Sequence, residues 1–386
     1  MNIVLLSPNF PTNFYNFAAA LRRLGVNVLG IGDAAYPDLQ PALRDALVEY
    51  YRVNNLHDYD PLRRACGYFV HRHGKLDRFE SHNEFWLETD ARIRLDFNIP
   101  GPKPADLAHI KPKSKMKEIF RSAGVDVAAG KVVYTYEDAK AVVQEVGYPV
   151  VAKPDVGVGA AATYKIRNQE GLERFFADKP PVEYFMEAFV AGDLYSFDGL
   201  TDQNGEIVFY TAHYFSQGIM ETVNEGRDMY YYSLREIPAD LKAAGFRVIP
   251  AFGLRERFFH LEFFRTEDRL IALELNMRPP GGLTMDMFNY ANDIDLYQQW
   301  ANVVVNGRFD GEYGRPYHCA HVGRKWRHEY RLSHDEVLRE YAPLIVHHEP
   351  ISAVLAPAIG EHGYLLRTPD LAELQQAIAA ILAVQA

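Results

Sequence analysis

The sequence predicts a chain of α/β and α+β class, with a small doubly wound unit first, a larger α+β segment next and a short C-terminal unit last. Three observations predict it. An apolar strand, an amphipathic helix and a second apolar strand follow one another between Asn2 and Ile31, which is the start of a βαβ unit. Past Asn98-Ile99-Pro100-Gly101-Pro102, which reads as a linker, helices and hairpins alternate instead. Near Glu262 and Glu274, two strands rich in aromatic and aliphatic residues flank a polar turn. The linker places a domain boundary near Pro100.

At 386 residues, with 48% hydrophobic and 24% charged residues, the chain can bury an ample core and is neither disordered nor fibrous. Its net charge of −10 opposes nonspecific binding to nucleic acid or to an anionic membrane. Cys66 and Cys319, far apart and without metal-ligand spacing, are read as packed thiols in a reducing cytoplasm. The first Arg is Arg22 and Pro8-Asn9 interrupts the apolar opening, unlike a signal peptide, and no apolar run approaches a membrane span.

In the first unit, Asn2 to Ser7 reads as a buried strand. Phe14, Phe17, Ala18, Leu21 and Leu24 mark a helix ended by Gly25, and Val26 to Ile31 is the second strand. The turn Pro8-Asn9-Phe10-Pro11 lacks G-x-G-x-x-G, so a nucleotide is expected elsewhere. A helical pattern through Leu87 and Ala91 precedes the linker. Beyond it, Met116, Ile119, Phe120 and Ala123 form a helical stripe closed by Gly124, and Lys131 to Tyr134 is a strand. Thr135 and Asp138 form a capping box for a helix ended by Gly147. The buried strand Pro149 to Lys153 then enters the small-residue loop 154–161. Its Gly157 and Gly159 allow positive φ and bring backbone N–H groups toward an anion, as a flap over phosphates would; read alone, such a loop is more often only a turn. Val182 to Met186 and Leu194 to Leu200 are strands on either side of a crossover that can offer main-chain groups to a flat adenine edge.

The segments Phe258 to Phe264 and Arg269 to Leu275 form a hairpin around Thr266-Glu267-Asp268. A turn centred on Asp268 places Glu262 across from Glu274, with Asn276 and Arg278 on the same face. Opposed carboxylates repel. A hard cation between them removes that cost, with the Asn276 carbonyl as a further ligand, and Mg²⁺ fits this oxygen donor set. Arg278 on that face suits a phosphate or carboxylate. The plainer alternative is a solvated charged face.

In chain order, these parts resemble the ATP-grasp superfamily of carboxylate-amine ligases, of the biotin carboxylase and carbamoyl phosphate synthase type, over about residues 1–310. The resemblance implies a Rossmann-like pre-ATP-grasp domain over residues 1–100, an ATP-grasp domain over 101–310 with a small lobe over about 111–186 and a large lobe over about 191–310, and a small C-terminal subdomain over 311–386. Tyr148-Pro149-Val150-Val151-Ala152-Lys153 matches the family strand whose Lys holds the α/β-phosphates. Lys113 matches the first nucleotide-binding basic residue, with Lys115 competing. Met186-Glu187-Ala188-Phe189-Val190 resembles the adenine hinge, with Glu187 and the Val190 backbone at the base. Leu273-Glu274-Leu275-Asn276-Met277-Arg278 and Glu262 resemble the metal segment. Leu194 stands where the family often has a ribose-binding Glu, with Asp193 and Asp198 as neighbours, and Asp198 is taken as the nucleotide-side candidate.

The implied activity is an ADP-forming ligation. A small carboxylic acid becomes an acyl phosphate, an amine attacks it, and Arg278 stabilises the reacting centre. ATP and Mg²⁺, or Mn²⁺ in its place, are the implied cofactors, and a homodimer is left open. The alternatives are a kinase or carboxylase without an amine acceptor and a non-catalytic nucleotide-binding regulator.

Other features receive plainer readings. His71-Arg72-His73 and His347-His348 are read as solvated loop or strand, and His318 and His321 as structural. Tyr230-Tyr231-Tyr232 is divided between a pocket wall and sheet packing, Arg255 and Arg257 are read as solvent-facing, and Leu374 to Leu382 as a capped surface helix.

Overall fold

The computed structural model describes residues 1–157, 162–218, 222 and 226–385. The opening unit is a four-stranded parallel sheet of β1 (Asn2–Leu6), β2 (Asn27–Gly32), β3 (Glu49–Arg52) and β4 (Arg78–Glu80), in the order β3-β2-β1-β4. Strands β1 and β2 are apolar and almost wholly buried, as expected where helices cover both faces of a parallel sheet. The helix Tyr15–Arg23 lies between them, and the chain leaves it through Gly25 at φ +76°. His71 to His73, read from sequence as loop or strand, are instead the last turn of the helix Tyr59–His73, where His73 meets Glu49 at 2.6 Å. Basic groups favour that end of a helix dipole.

After β5 (Asp126–Val127), the small lobe is a four-stranded antiparallel sheet of β6 (Gly130–Val133), β7 (Val150–Pro154), β8 (Tyr164–Ile166) and β9 (Tyr184–Ala188), ordered β6-β9-β7-β8. The Thr135/Asp138 capping box starts the helix Tyr136–Val146. Ala139 and Val142 of that helix pack with Val150, Ala152, Tyr184 and Met186 in a core of the lobe's own.

The large sheet has nine strands. These are β10 (Asp193–Thr201), β11 (Ile207–Phe215), β12 (Met229–Ser233), β13 (Phe258–Arg265), β14 (Leu270–Asn276), β15 (His318–Arg324), β16 (Ile345–Pro350) and β17 (His362–Thr368), with β5 at one edge: β16-β17-β15-β12-β11-β10-β13-β14-β5. Residues 311–386, expected as a small C-terminal subdomain, thus add three strands to this sheet, and the helix Leu371–Ile381 buries Leu374, Ala377, Ile378 and Ile381 against them. Asp370 caps that helix.

A buried ion network ties the opening unit to the large sheet. Arg257, read from sequence as solvent-facing, is 7% exposed and reaches Glu80 at 3.1 Å, while Arg94 meets the same carboxylate at 2.8 Å. Burial opposes the charge on Glu80, yet the two guanidiniums hold its pKa below the ordinary value. Arg255 stays exposed. No helix among the described residues is long and apolar enough to cross a membrane.

Candidate active site

A cavity of about 500 Å³ lies between the small-lobe sheet and the large sheet. It gathers Lys113, Lys153, Gly157, Glu187, Val190, Glu262, Glu274, Asn276 and Arg278 from the residues singled out by sequence. Gly159 lies outside the described residues, as do the neighbouring positions of the small-residue flap.

The carboxylate face is built by β13 and β14, which pair Glu262 with Glu274 and His260 with Asn276. The route to that register differs from the expected one. Arg265 pairs with Leu270, so the turn is centred between Glu267 and Asp268, half a residue before the expected point. Continued without interruption, this pairing would put Glu262 opposite Leu273. A bulge inserts Leu273 as an extra residue and restores the alignment of the two glutamates. The Asn276 amide nitrogen donates to Glu274 at 3.3 Å, which leaves its oxygen as the group available to a cation. Burial raises the cost of charge on Glu274, but Lys113 and Lys153 outweigh it and hold its pKa below the ordinary value. Two acidic groups and an amide oxygen on one wall fit a hard divalent cation.

The lysines are positioned by one another's elements. Lys153 is on β7, and Lys113 opens the helix Lys113–Ser122. Asp155, just after β7, accepts from the Ser114 N–H at 2.7 Å and the Ser114 hydroxyl at 2.8 Å, while its carbonyl accepts from the Lys113 N–H at 2.8 Å. This cap satisfies otherwise unpaired helix donors and fixes the two lysines in one place. Of the two competing lysines, Lys113 is 6% exposed and lines the cavity, whereas the Lys115 side chain is 48% exposed and pairs with Glu118.

Sequence reasoning missed Lys117, one helical turn beyond Lys113 and 1% exposed. Glu187 lies between Lys153, at 2.6 Å, and Lys117, at 2.9 Å. Its carboxylate is therefore committed to this buried triad, and the groups of the 187–190 segment left for a base edge are those of the main chain. Burial works against the charge on Glu187, but the two ammonium groups bring its pKa down to about 2.

Asp198 is not on the cavity wall, a correction to its expected place beside the nucleotide. It is fully buried on β10, where it accepts from Ser196 at 2.5 Å and pairs with His213 at 2.8 Å and His260 at 2.5 Å. His260, also missed, lines the cavity and faces Glu262 at 3.3 Å through Nε2. Burial alone would lower its pKa; the Asp198 carboxylate overrides this and raises it to about 10. Asp198 thus acts through His260, which orients Glu262 from behind.

Arg278 donates to the Pro279 carbonyl at 2.9 Å and stands 3.7 Å from Glu84 of the opening unit. Glu84 is 6% exposed, and burial holds its pKa above the ordinary value despite Arg278. Nothing local in the sequence marks Glu84. Gly282, at φ +63°, turns the chain from this segment into the helix Thr284–Asn292. Tyr231 alone of the Tyr run lines the cavity, bonded to Thr284 at 2.8 Å, while Tyr232 belongs to the core. His318 and His321 are structural: each is buried and bonded to a backbone carbonyl.

Two lobes thus enclose the cavity, with Lys153 of the small-lobe sheet on one side and the opposed carboxylates of the large sheet on the other. Residues 146–286 match the family model described as ATP-grasp domain, so the chain carries an ATP-grasp domain. Among curated relatives, an L-arginine-specific L-amino acid ligase of Bacillus subtilis is 25% identical over 60% of this chain and 58% of its own length. The carbamoyl phosphate synthase large chain of Agathobacter rectalis is 32% identical over 58% of this chain and 21% of its own. The matches thus span less than two thirds of either relative. Among solved structures, an L-amino acid ligase from Bacillus licheniformis superimposes with a TM-score of 0.75 at 15% identity, covering 98% of this chain and 96% of that one. An N5-carboxyaminoimidazole synthetase from Staphylococcus aureus complexed with ADP gives 0.74 at 16%, covering 99% and 96%. The expected fold class is therefore the observed one.

Proposed function

We propose that this chain is an ATP-dependent, ADP-forming ligase that activates a small carboxylic acid as an acyl phosphate for attack by an amine. The observation that carries this reading is the pairing of Glu262 with Glu274, with Asn276 beside them, in the same cavity as Lys113 and Lys153. On this reading, the adenine edge meets main-chain groups of Glu187 to Val190, against the apolar side chains of Val151, Leu194 and Leu273. Lys113 and Lys153 hold the phosphates. Mg²⁺, held by Glu262, Glu274 and Asn276, would screen the phosphate charge that repels an incoming carboxylate.

The acid's oxygen attacks the γ-phosphorus in line, the bond to the β-phosphate oxygen breaks, and ADP leaves. The amine then forms the C–N bond, the acyl C–O bond breaks and phosphate departs. The amine nitrogen loses its proton to solvent or a nearby base. Arg278, kept in place by Pro279 and Glu84, would stabilise charge at the acyl centre or on the departing phosphate. Residues 311–386 add to the cavity wall through Leu355 and Ile359, and the opening unit reaches the site through the Glu84 carboxylate beside Arg278. Because two relatives are named as L-amino acid ligases, amino acids are the first acids to test.

ADP release from ATP and Mg²⁺, measured across a panel of acids with and without an amine, should require both partners. ADP formed at the same rate without any acid would contradict the ligase reading, and tight ATP binding with no ADP from any pair would favour a regulator. The lysine assignment has its own test. Lys153→Met should weaken binding of a nonhydrolysable ATP analogue at least about tenfold, the loss of a charge-assisted contact. Lys115→Met should leave that affinity unchanged, and equal effects from the two would contradict the assignment.

A further inference from the structure

A second cluster of ligating side chains lies in the C-terminal part of the large sheet, apart from the ligase residues. His334 is the first residue of the helix His334–Glu340, His348 is on β16 and His362 begins β17. Each of the three offers one ring nitrogen, and these atoms all lie within 4.8 Å of one another. The ring centroids of His334 and His362 are 4.6 Å apart, and His348 stands 5.4 Å and 5.5 Å from them.

The register explains the meeting. His348 pairs with Tyr364 and Pro350 with His362, so His348 and His362 are diagonal neighbours on one face of the hairpin. The helix then brings His334 over them.

Two further observations point to a ligand. His362 is 7% exposed, yet its Nε2 atom is buried without a hydrogen-bond partner. A buried ring nitrogen without a partner is costly unless something binds it. His334 bonds Tyr364 through Nδ1 at 2.7 Å, which sets its ring and leaves Nε2 for the cluster, as a partner behind a metal-bound His does.

We propose that His334, His348 and His362 form a binding site for a divalent transition metal of the zinc type, separate from the Mg²⁺ site. Three imidazoles suit Zn²⁺, Co²⁺ or Ni²⁺ and not Mg²⁺, which prefers oxygen. Tetrahedral bonds to Zn²⁺ place ligand nitrogens about 3.3 Å apart. With the His334 ring held by Tyr364, rotation of the exposed His348 side chain closes that gap. Such a metal clips the β16–β17 hairpin to the helix His334–Glu340. The connection between those strands carries Leu355 and Ile359, which line the ligase cavity, so the clip would steady one cavity wall.

The test is titration of the metal-free protein with Zn²⁺ by calorimetry in excess Mg²⁺, repeated with Co²⁺ while recording its visible absorption. One equivalent of Zn²⁺ is expected, with a visible Co²⁺ band typical of four-coordinate nitrogen ligation and a raised thermal midpoint. His348→Gln, at an exposed position that does not endanger folding, should weaken Zn²⁺ at least about tenfold and abolish the band. His334→Gln should do the same. Zn²⁺ affinity unchanged in both variants, or no binding above theirs in the wild type, would overturn the proposal.

Discussion

Glu274→Gln should leave the protein folded and lower turnover by at least about two orders of magnitude, the scale expected when a metal-phosphate contact is lost. The substitution keeps the side chain's size and removes the repulsion with Glu262 across the β13–β14 ladder. It also removes the charge that Lys113 and Lys153 stabilise and one of two anionic groups available to the cation. Part of the lost affinity should be recovered at high Mg²⁺, because the defect is in binding the ion and not in the fold. Turnover measured over a range of Mg²⁺, alongside thermal unfolding, separates these effects. Wild-type turnover in a normally melting variant would falsify the metal-site assignment.

Glu187→Ala should have the largest effect on stability, about 3–5 kcal/mol, because it removes the carboxylate paired with both Lys117 and Lys153 and leaves two buried ammonium groups without their nearest counter-charge. Lys117 retains the Ala272 carbonyl at 3.1 Å, which offsets little of this. The sign of the pH dependence follows from the lowered pKa. Glu187 is held at about 2 against an ordinary 4.5. Its contribution is therefore fully present above the unfolded value and is lost as pH falls from about 4.5 toward about 2. Urea unfolding of wild type and variant at neutral pH measures the difference, which should shrink as both are taken below pH 4.5. A neutral-pH difference under about 1 kcal/mol would show that the triad does not carry this weight.

The opening βαβ unit was legible in the sequence because its apolar strands and amphipathic helix are local patterns. So was the glutamate pair, since the alternation of a hairpin is visible once the turn is found. The Leu273 bulge was not: a turn centred on Asp268 and a turn displaced by half a residue with a bulge produce the same pairing of Glu262 with Glu274. Lys117 was hidden among Lys111, Lys113 and Lys115, where only tertiary burial distinguishes one lysine from the next. Asp198, Glu84 and Arg257 were misplaced or missed because each is defined by a partner on a distant element, and a single sequence carries no record of that pairing. The three histidines show the same limit. His348 reads as one of an unremarkable pair until the register of β16 and β17 and the start of a neighbouring helix bring it to His362 and His334.

The central claim is that ATP is broken at its γ-phosphate to make an acyl phosphate. Identifying the products formed with ATP, Mg²⁺, a pool of amino acids or other small acids, and hydroxylamine tests this most directly, because hydroxylamine captures an acyl phosphate as a hydroxamate. Acid-dependent ADP and phosphate together with a hydroxamate are expected; acid-dependent AMP and pyrophosphate would overturn transfer of the γ-phosphoryl group.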